Sequence, residues 1–237
     1  MKKIVVPIII FTYVIVTGCY SSGVRYKGNG NITEENREVF EFNKIRIDGV
    51  AEVILTQSDK EEVWVETDEN LQQYVHIYNS GNTLVVDTED DVKFTKNSIY
   101  ISFKKLNEID HNGVGSTKTG DFISTDKMYI EADGVGNTDI QINCEQLTVH
   151  QTGVGSMKLK GRTTNLDLKN TGVGSVNAFS MEADYARVEN SGVGSTEVMV
   201  NKEISVNSSG VGSVKYKGDA LIKDINSSGI GNVKKVN

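Results

Sequence analysis

The sequence contains one proline, one tryptophan and two cysteines in 237 residues. Two cysteines cannot build the disulfide framework of a small secreted domain, and one proline excludes a proline-rich linker. After Tyr20 no segment sustains a 3.6-residue apolar period, so long helices are not expected. The chain is therefore expected to fold as strands and turns.

Positive charge is also scarce. Lys and Arg number 25 against 32 Asp and Glu, which gives a formal charge of −7. Loss of an export signal with Lys2 and Lys3 changes this charge to −9 (−7 − 2). A surface with this charge disfavours nucleic acid and anionic lipid as partners.

Glycine, in contrast, is abundant and regularly placed. Gly-Val-Gly-Ser or a near copy begins at Gly113, Gly134, Gly153, Gly172, Gly192, Gly210 and Gly229. The steps between these glycines are 21, 19, 19, 20, 18 and 19 residues. A period near 19 residues predicts an all-β parallel β-helix, or β-solenoid, in which each copy is one rung.

The residues around each copy support this architecture. Apolar pairs at strand spacing stand six and four residues before the first glycine, as in Leu147 with Val149 and Leu166 with Leu168. If rungs stack about 4.8 Å apart, opposite charges meet in three pairs: Asp139 with Lys158, Lys169 with Glu189, and Glu197 with Lys215. Asp110 over Glu131 is the one obvious clash.

The paired glycines are predicted to form a structural turn ladder, because the repeated turn needs backbone angles that glycine adopts cheaply. Its members are Gly113, Gly115, Gly134, Gly136, Gly153, Gly155, Gly172, Gly174, Gly192, Gly194, Gly210, Gly212, Gly229 and Gly231. The valine or isoleucine inside each turn is expected to stack into an apolar ladder.

The first 19 residues resemble a bacterial lipoprotein signal. Lys2 and Lys3 precede a short apolar run, and Val16-Thr17-Gly18 leads to Cys19, which would be acylated. We expect a signal peptide over residues 1–18 and lipid attachment at Cys19, with the membrane as a partner through that lipid. A simple secretory signal with a nearby cysteine is the alternative.

The mature chain is expected to have three parts. Residues 19–41 are polar and lack apolar periodicity, so we expect a flexible tether. Residues 42–104 predict an N-terminal β-strand region, and residues 105–237 the Gly-x-Gly repeat solenoid. Together, residues 42–237 are expected to form one continuous domain.

Aromatic residues of the N-terminal region form a candidate binding surface. Trp64, Tyr74, His76 and Tyr78 alternate with apolar residues and so lie on the polar side of their strands, where they could bind a glycan or a protein. The other interpretation, which the pattern favours, is a sheet covered on both faces, one of them by the solenoid.

The polar column Asp110, Glu131 and His150 offers acid and base groups for a polysaccharide-active enzyme. The interpretation that the pattern favours is a solvated face, because charge alternation already explains the column and no insertion forms the wall of a cleft. Neither catalytic residues nor a cofactor or metal site are predicted. The Gly-Val-Gly turns lack the third glycine and the following helix of a dinucleotide loop. Cys144 is interpreted as a small, buried side chain.

The run from Phe42 to Leu55, followed by strands and by glycine-x-glycine copies, resembles the head GIN domain of putative auto-transporter adhesins. The resemblance covers about Phe42 to Val236 and implies a single right-handed β-helical body and an adhesin role. It brings no catalytic residues. This chain has Ser or Asn after the second glycine, where members often have an acidic residue, which weakens the transfer of any ligand role.

Together these features predict a non-enzymatic, lipid-anchored protein of the cell envelope that acts as an adhesin-like or interaction module. We expect an outer-membrane lipoprotein, periplasm-facing or surface-exposed. A polysaccharide-active β-helix enzyme and a periplasmic structural or sensory part are the alternatives. The oligomeric state and the leaflet stay open.

Overall fold

The computed structural model describes residues 25–237, so the signal peptide and Cys19 lie outside the described part. One short 3₁₀ helix spans Glu69–Tyr74. The strands are β1 Tyr26–Lys27, β2 Ile32–Arg37, β3 Lys44–Ile47, β4 Val50–Gln57, β5 Glu62–Asp68, β6 Val75–Ser80, β7 Thr83–Thr88, β8 Val92–Lys93, β9 Asn97–Phe103, β10 Glu108–His111, β11 Val114–Thr119, β12 Ile123–Ala132, β13 Val135–Gln151, β14 Met157–Asn170, β15 Val176–Asn190, β16 Thr196–Ser208, β17 Val214–Lys217, β18 Leu221–Ser227 and β19 Val233–Lys235.

The strands coil into a β-solenoid of about seven turns, which confirms the predicted fold class. Two columns of parallel strands run along it. Side A holds the strands that precede each Gly-x-Gly turn, namely β10, the second halves of β12 to β16, and β18; β3 and β7 extend this column at the N-terminal end. Side B holds the strands that follow each turn, namely β11, the first halves of β13 to β16, β17 and β19; β4 and β9 extend this column.

Consecutive rungs stack in the register that the repeat predicts. Leu147 pairs with Leu166, which in turn pairs with Ala186 on the following rung. In the same way Val149 pairs with Leu168, and Leu168 pairs with Val188. Because alternate side chains point inward, the rungs share one buried apolar cluster that extends from Phe42 to Tyr216. A single rung could not bury this face, so the core exists only in the stack.

The interior also contains an amide ladder beside the turns. Asn170 and Asn190 are buried, and the Asn170 Nδ2 donates to Asn190 Oδ1 at 3.1 Å. Asn170 also donates to the carbonyl oxygen of Gly174 at 3.4 Å. These bonds link the inner side chains to the turn backbone and satisfy the Asn170 amide N–H and the Asn190 side-chain oxygen. Asn170 Oδ1 and Asn190 Nδ2 have no hydrogen-bond partner among the described residues.

The glycine turns approach each other so closely that a side chain would not fit. A Cβ at Gly172 would overlap the carbonyl oxygen of Gly153, and a Cβ at Gly174 would overlap that of Gly155. The second glycine also has a positive φ, +146° at Gly174, whereas the φ of Gly172 lies outside the left-handed range. The prediction that the turn needs backbone angles favoured by glycine thus holds for the second glycine of each pair. The first glycine is required only because the backbone of the preceding rung lies too close for a side chain.

The valine ladder lies on the outer surface. Val135, Val154, Val173, Val193 and Val211 pair in sequence order, and each remains about half exposed. The expected stacking is therefore present, and it leaves one edge of each side chain in contact with solvent.

The predicted charge columns are in register. Lys169 Nζ lies 3.4 Å from Glu189 Oε1, and Lys215 Nζ lies 2.9 Å from Glu197 Oε1. Asp139 and Lys158 occupy paired positions. Asp110 pairs with Glu131 across the ladder, as expected for the clash. Burial, together with the charges of Glu131 and Asp48, raises the pKa of the Asp110 carboxyl.

The N-terminal region begins the coil and then covers its end. β3 and β4 form a rung below β10 and β11, which confirms that the Asp48-Gly49-Val50 turn is a worn copy of the repeat. β6 then pairs antiparallel with β7 on side A, and β5 pairs antiparallel with β9 on side B. The antiparallel strands β5 and β6 thus cover this end of the core.

The tether prediction is wrong for part of residues 19–41. β2 pairs antiparallel with β5 over six residues, and β1 pairs with β8. The buried Asp68 carboxylate holds this segment, because it accepts the Gly30 N–H at 2.8 Å and the Thr95 N–H at 2.7 Å. A strand can pair with the edge of a sheet through its backbone N–H and C=O groups alone. The pairing of this segment therefore does not require alternating apolar residues, which the segment lacks.

Replacement of Gly174 by alanine should lower the free energy of unfolding by at least about 2 kcal/mol, because the side chain would meet the Gly155 carbonyl at a positive φ. In a domain of this size that loss corresponds to about 4–8 °C in melting temperature. Thermal unfolding followed by circular dichroism measures it. Gly120→Ala is the control, since its Cβ would meet the Thr56 hydroxyl at 3.2 Å; equal effects of the two variants would contradict the steric explanation.

Asp110→Asn should raise the melting temperature at pH 7. The pKa of Asp110 is higher in the folded protein than in the unfolded chain. Its contribution to stability is therefore fully present below the unfolded-state pKa and is lost as the pH rises through the folded-state pKa, because the folded protein then holds an unfavourable charge. The variant should therefore match the wild type near pH 3 and exceed it at neutral pH. Melting curves across this range test the sign, with Glu197→Gln, which loses the Lys215 partner, as the variant that should show no gain. A destabilised Asp110→Asn at pH 7 would refute the clash.

Candidate functional site

Two exposed aromatic residues meet on side B near the capped end. Trp64 of β5 pairs with Tyr100 of β9 in an antiparallel register. Their neighbours Val63, Val65 and Ile101 point into the core, which fixes the two rings on the outer face. Trp64 is 42% exposed and Tyr100 is 40% exposed. We call this pair the aromatic platform.

A carboxylate holds one side of the aromatic platform. The Tyr100 hydroxyl donates to Glu66 Oε2 at 2.9 Å, and Lys96 forms an ion pair with the other carboxylate oxygen. The hydrogen bond from Lys96, followed by that from Tyr100, lowers the pKa of Glu66, so the group is ionised at neutral pH. Glu66 therefore orients the phenol and remains a hydrogen-bond acceptor.

The aromatic platform borders a shallow depression of about 340 Å³ lined by Glu34, Trp64 and Tyr100. Glu34 comes from β2, the strand that pairs with the other edge of β5. The site thus combines three strands that are distant in sequence. Its two rings offer apolar area, and the Glu34 carboxylate in its lining offers an acceptor for hydroxyl or amine donors.

The other sequence-predicted residues are not part of this site. His76 and Tyr78 lie on β6, which pairs with β7 on side A, and His76 Nε2 is 3.4 Å from Glu89 Oε1. Tyr78 is 46% exposed. Tyr74 stacks on Tyr26 with ring centroids 4.5 Å apart, so an intramolecular partner already occupies it.

The interpretation of a sheet covered on both faces is wrong, since Trp64 and Tyr78 both keep more than two fifths of their surface exposed. Side A and side B turn their apolar residues toward one interior, so no second layer covers the outer face. Sequence analysis also missed Tyr100. Its position between Ile99 and Ile101 marks it as outward-facing, but the antiparallel return that places it beside Trp64 leaves no sequence signal.

The structure brings Asp110, Glu131 and His150 into one row on side A, as the repeat predicted. Between the last two lies Tyr129, whose hydroxyl donates to Glu131 Oε2 at 2.7 Å and lies 3.0 Å from His150 Nδ1. Burial, with this bond to Glu131, raises the pKa of Tyr129 to about 12. The glutamate and histidine thus already have a side-chain partner.

Cys144 is half-buried and lies 3.7 Å from the Thr163 hydroxyl. Burial raises the pKa of its thiol, which disfavours the nucleophilic thiolate.

Across residues 25–237 no group of three or more His, Cys, Asp or Glu side chains is arranged to hold a metal ion. Over the same range no helix has the length and apolar character needed to cross a membrane.

Comparisons with known proteins agree with the architecture. The family described as "Putative auto-transporter adhesin, head GIN domain" matches residues 41–220. No curated protein matches the chain. The crystal structure of a putative adhesin from Bacteroides fragilis is 32% identical and has a TM-score of 0.86, with coverage of 89% of this chain and 99% of that one.

Two further crystal structures share the fold at lower identity. A putative lipid binding protein from Parabacteroides distasonis is 24% identical with a TM-score of 0.73, and the aligned region covers 89% of this chain and 99% of that one. A putative adhesin from Parabacteroides merdae is 23% identical with a TM-score of 0.68, and the coverage is 98% of that chain and 89% of this one. The match over 41–220 shows that the chain belongs to the family of the head GIN domain of putative auto-transporter adhesins.

Proposed function

We propose that this protein is a non-enzymatic, lipid-anchored module of the cell envelope that binds glycans at the aromatic platform. The observation that carries the proposal is the pairing of Trp64 with Tyr100 on an outer strand face, with both rings about two fifths exposed. Aromatic residues held open in this way contribute large contact area at low cost in side-chain entropy.

The chemistry of the platform suits a sugar. A sugar ring has a face of C–H groups, which packs on an aromatic ring, and a rim of hydroxyl groups, which need acceptors. Glu66 is ionised and fixed by Tyr100 and Lys96, and Glu34 lies on the opposite strand. The depression has a volume within the range of small-ligand sites.

Membership of an adhesin family supports a role in envelope contacts. The finer statement, attachment through an acylated Cys19 to the outer membrane, rests on the Val16-Thr17-Gly18-Cys19 sequence. A lipid anchor followed by a strand-paired segment from Tyr26 would hold the solenoid close to the membrane surface.

Trp64→Ala should weaken binding of neutral oligosaccharides about tenfold or more, because it removes the larger ring of the platform. Trp64 is the only tryptophan in the chain, so the wild-type interaction can be followed directly by intrinsic fluorescence during titration with glycans selected on an array. Binding of both proteins is then compared by calorimetry. Tyr185→Ala is the control, since Tyr185 is 42% exposed on a distant rung.

An equal loss of glycan affinity in both variants would contradict binding at the aromatic platform, and so would the absence of glycan binding by the wild type. Capture of a protein ligand that is lost in Trp64→Ala would replace a glycan by a protein partner. Bound glycan should be recovered uncleaved. Cleavage that Glu131→Ala abolishes would instead establish the polysaccharide-active enzyme.

Cys19→Ser should release the protein from the membrane fraction into the soluble fraction, because the acylation site is lost. Fractionation and mass spectrometry of the mature N-terminus measure this change. Protease treatment of intact cells then assigns the orientation, with lysed cells as the control. A Cys19→Ser protein that stays membrane-bound would contradict lipid anchoring.

A further inference from the structure

A groove of about 790 Å³ lies between the segment that follows β9 and the start of β12. The segment after β9 contributes Lys104, Lys105 and Asn107. The start of β12 contributes Ser124, Thr125, Asp126 and Lys127. Lys44, Gln57 and Glu108 complete the lining. We call it the lysine groove.

Hydrogen bonds fix the two segments relative to each other. The Gln57 side chain donates to the carbonyl oxygens of Lys104 at 3.0 Å and Ser124 at 3.1 Å, and its Oε1 accepts the Ser124 N–H at 2.8 Å. Thr125 Oγ1 donates to Asn107 Oδ1 at 3.3 Å. One amide thus joins both walls, so the groove is part of the folded framework.

Charge in the lysine groove is opposite to that of the whole chain. Four lysines line it against two carboxylates, whereas the chain has a formal charge of −7. Lys44 is paired with Glu108 at 2.7 Å and Lys104 with Glu61 at 2.9 Å. Within residues 25–237, no carboxylate lies within 4.0 Å of the ammonium groups of Lys105 and Lys127.

We propose that the lysine groove is a second binding site, which takes the carboxylate or sulfate groups of an acidic glycan. Lys105 and Lys127 supply the cations, and the side chains of Asn107 and Ser124 can supply neutral donors. The groove is open, and hydrogen bonds between the Gln57 side chain and the backbone hold its walls in place. Both features suit an extended polymer segment. The glycan class rests on the proposed function.

The position of the lysine groove relative to the aromatic platform supports this assignment. Tyr100 and Lys104 are four residues apart at the end of β9, which corresponds to about 13 Å at the rise of a β-strand. A single oligosaccharide could therefore place one sugar on the platform and an acidic unit in the groove. Glu34 and Glu66 beside the platform disfavour an anionic sugar there, so the acidic unit belongs in the groove.

The test compares a tetrasaccharide of galacturonic acid with a neutral tetrasaccharide of glucose by calorimetry at low and high salt. The acidic tetrasaccharide should bind more tightly at low salt, and this advantage should disappear at high salt. Lys105→Gln combined with Lys127→Gln should weaken its binding about tenfold. Asp126→Asn should strengthen it, because the free carboxylate in the groove is removed.

The matched control is Lys158→Gln combined with Lys234→Gln, which removes the same charge from exposed positions of other rungs. If the control pair weakens binding of the acidic tetrasaccharide as much as the groove variants do, the proposed site in the lysine groove is wrong. Equal affinity of the wild type for the acidic and the neutral tetrasaccharide would also overturn the proposal. Inorganic sulfate that binds as tightly as the tetrasaccharide would overturn the glycan assignment. Trp64→Ala separates the two sites: if it has no effect on either tetrasaccharide while the lysine variants do, the platform fails and the groove stands.

Discussion

The structure depends on the close approach of successive backbones at the Gly-x-Gly corners. At Gly174 the preceding rung lies so near that any Cβ would overlap the carbonyl oxygen of Gly155. This contact sets the rung spacing on one edge of the solenoid, and the parallel pairing of strands such as β14 and β15 carries the same spacing across sides A and B. Inner side chains then stack on equivalent side chains, and the core becomes a set of ladders.

A core of this kind leaves the outer positions free for other uses. Because alternate residues face inward, the outward columns carry charges that pair between rungs, as Glu197 and Lys215 do. At their turns the middle rungs present the half-exposed valine ladder together with short polar side chains. The features with binding character, the aromatic platform and the lysine groove, lie instead near the capped end, where the repeat is irregular and loops leave the coil. Irregular segments on a rigid scaffold are the usual positions of recognition sites.

Sequence patterns predicted much of this architecture for a physical reason. In a solenoid, neighbours in space are neighbours in the repeat, so the spacing of Gly153 and Gly172 already specifies which strands pair. The same locality placed Asp110 over Glu131. The N-terminal cap does not follow this rule. β2 was expected to be a tether because its residues show no apolar alternation, yet it pairs with β5 through backbone groups that any sequence possesses.

The sequence by itself determined the rung period, the inward and outward faces, and the turn ladder, because each is a local or nearest-neighbour property. Only the tertiary structure decided which aromatic residues meet. Trp64, His76 and Tyr78 were equivalent in sequence, but antiparallel returns sent them to different sides of the coil and brought Tyr100 to Trp64. Likewise, in the lysine groove Gln57 joins the segment after β9 to the start of β12. Such contacts depend on the direction of the chain after each turn, which the repeat pattern does not encode.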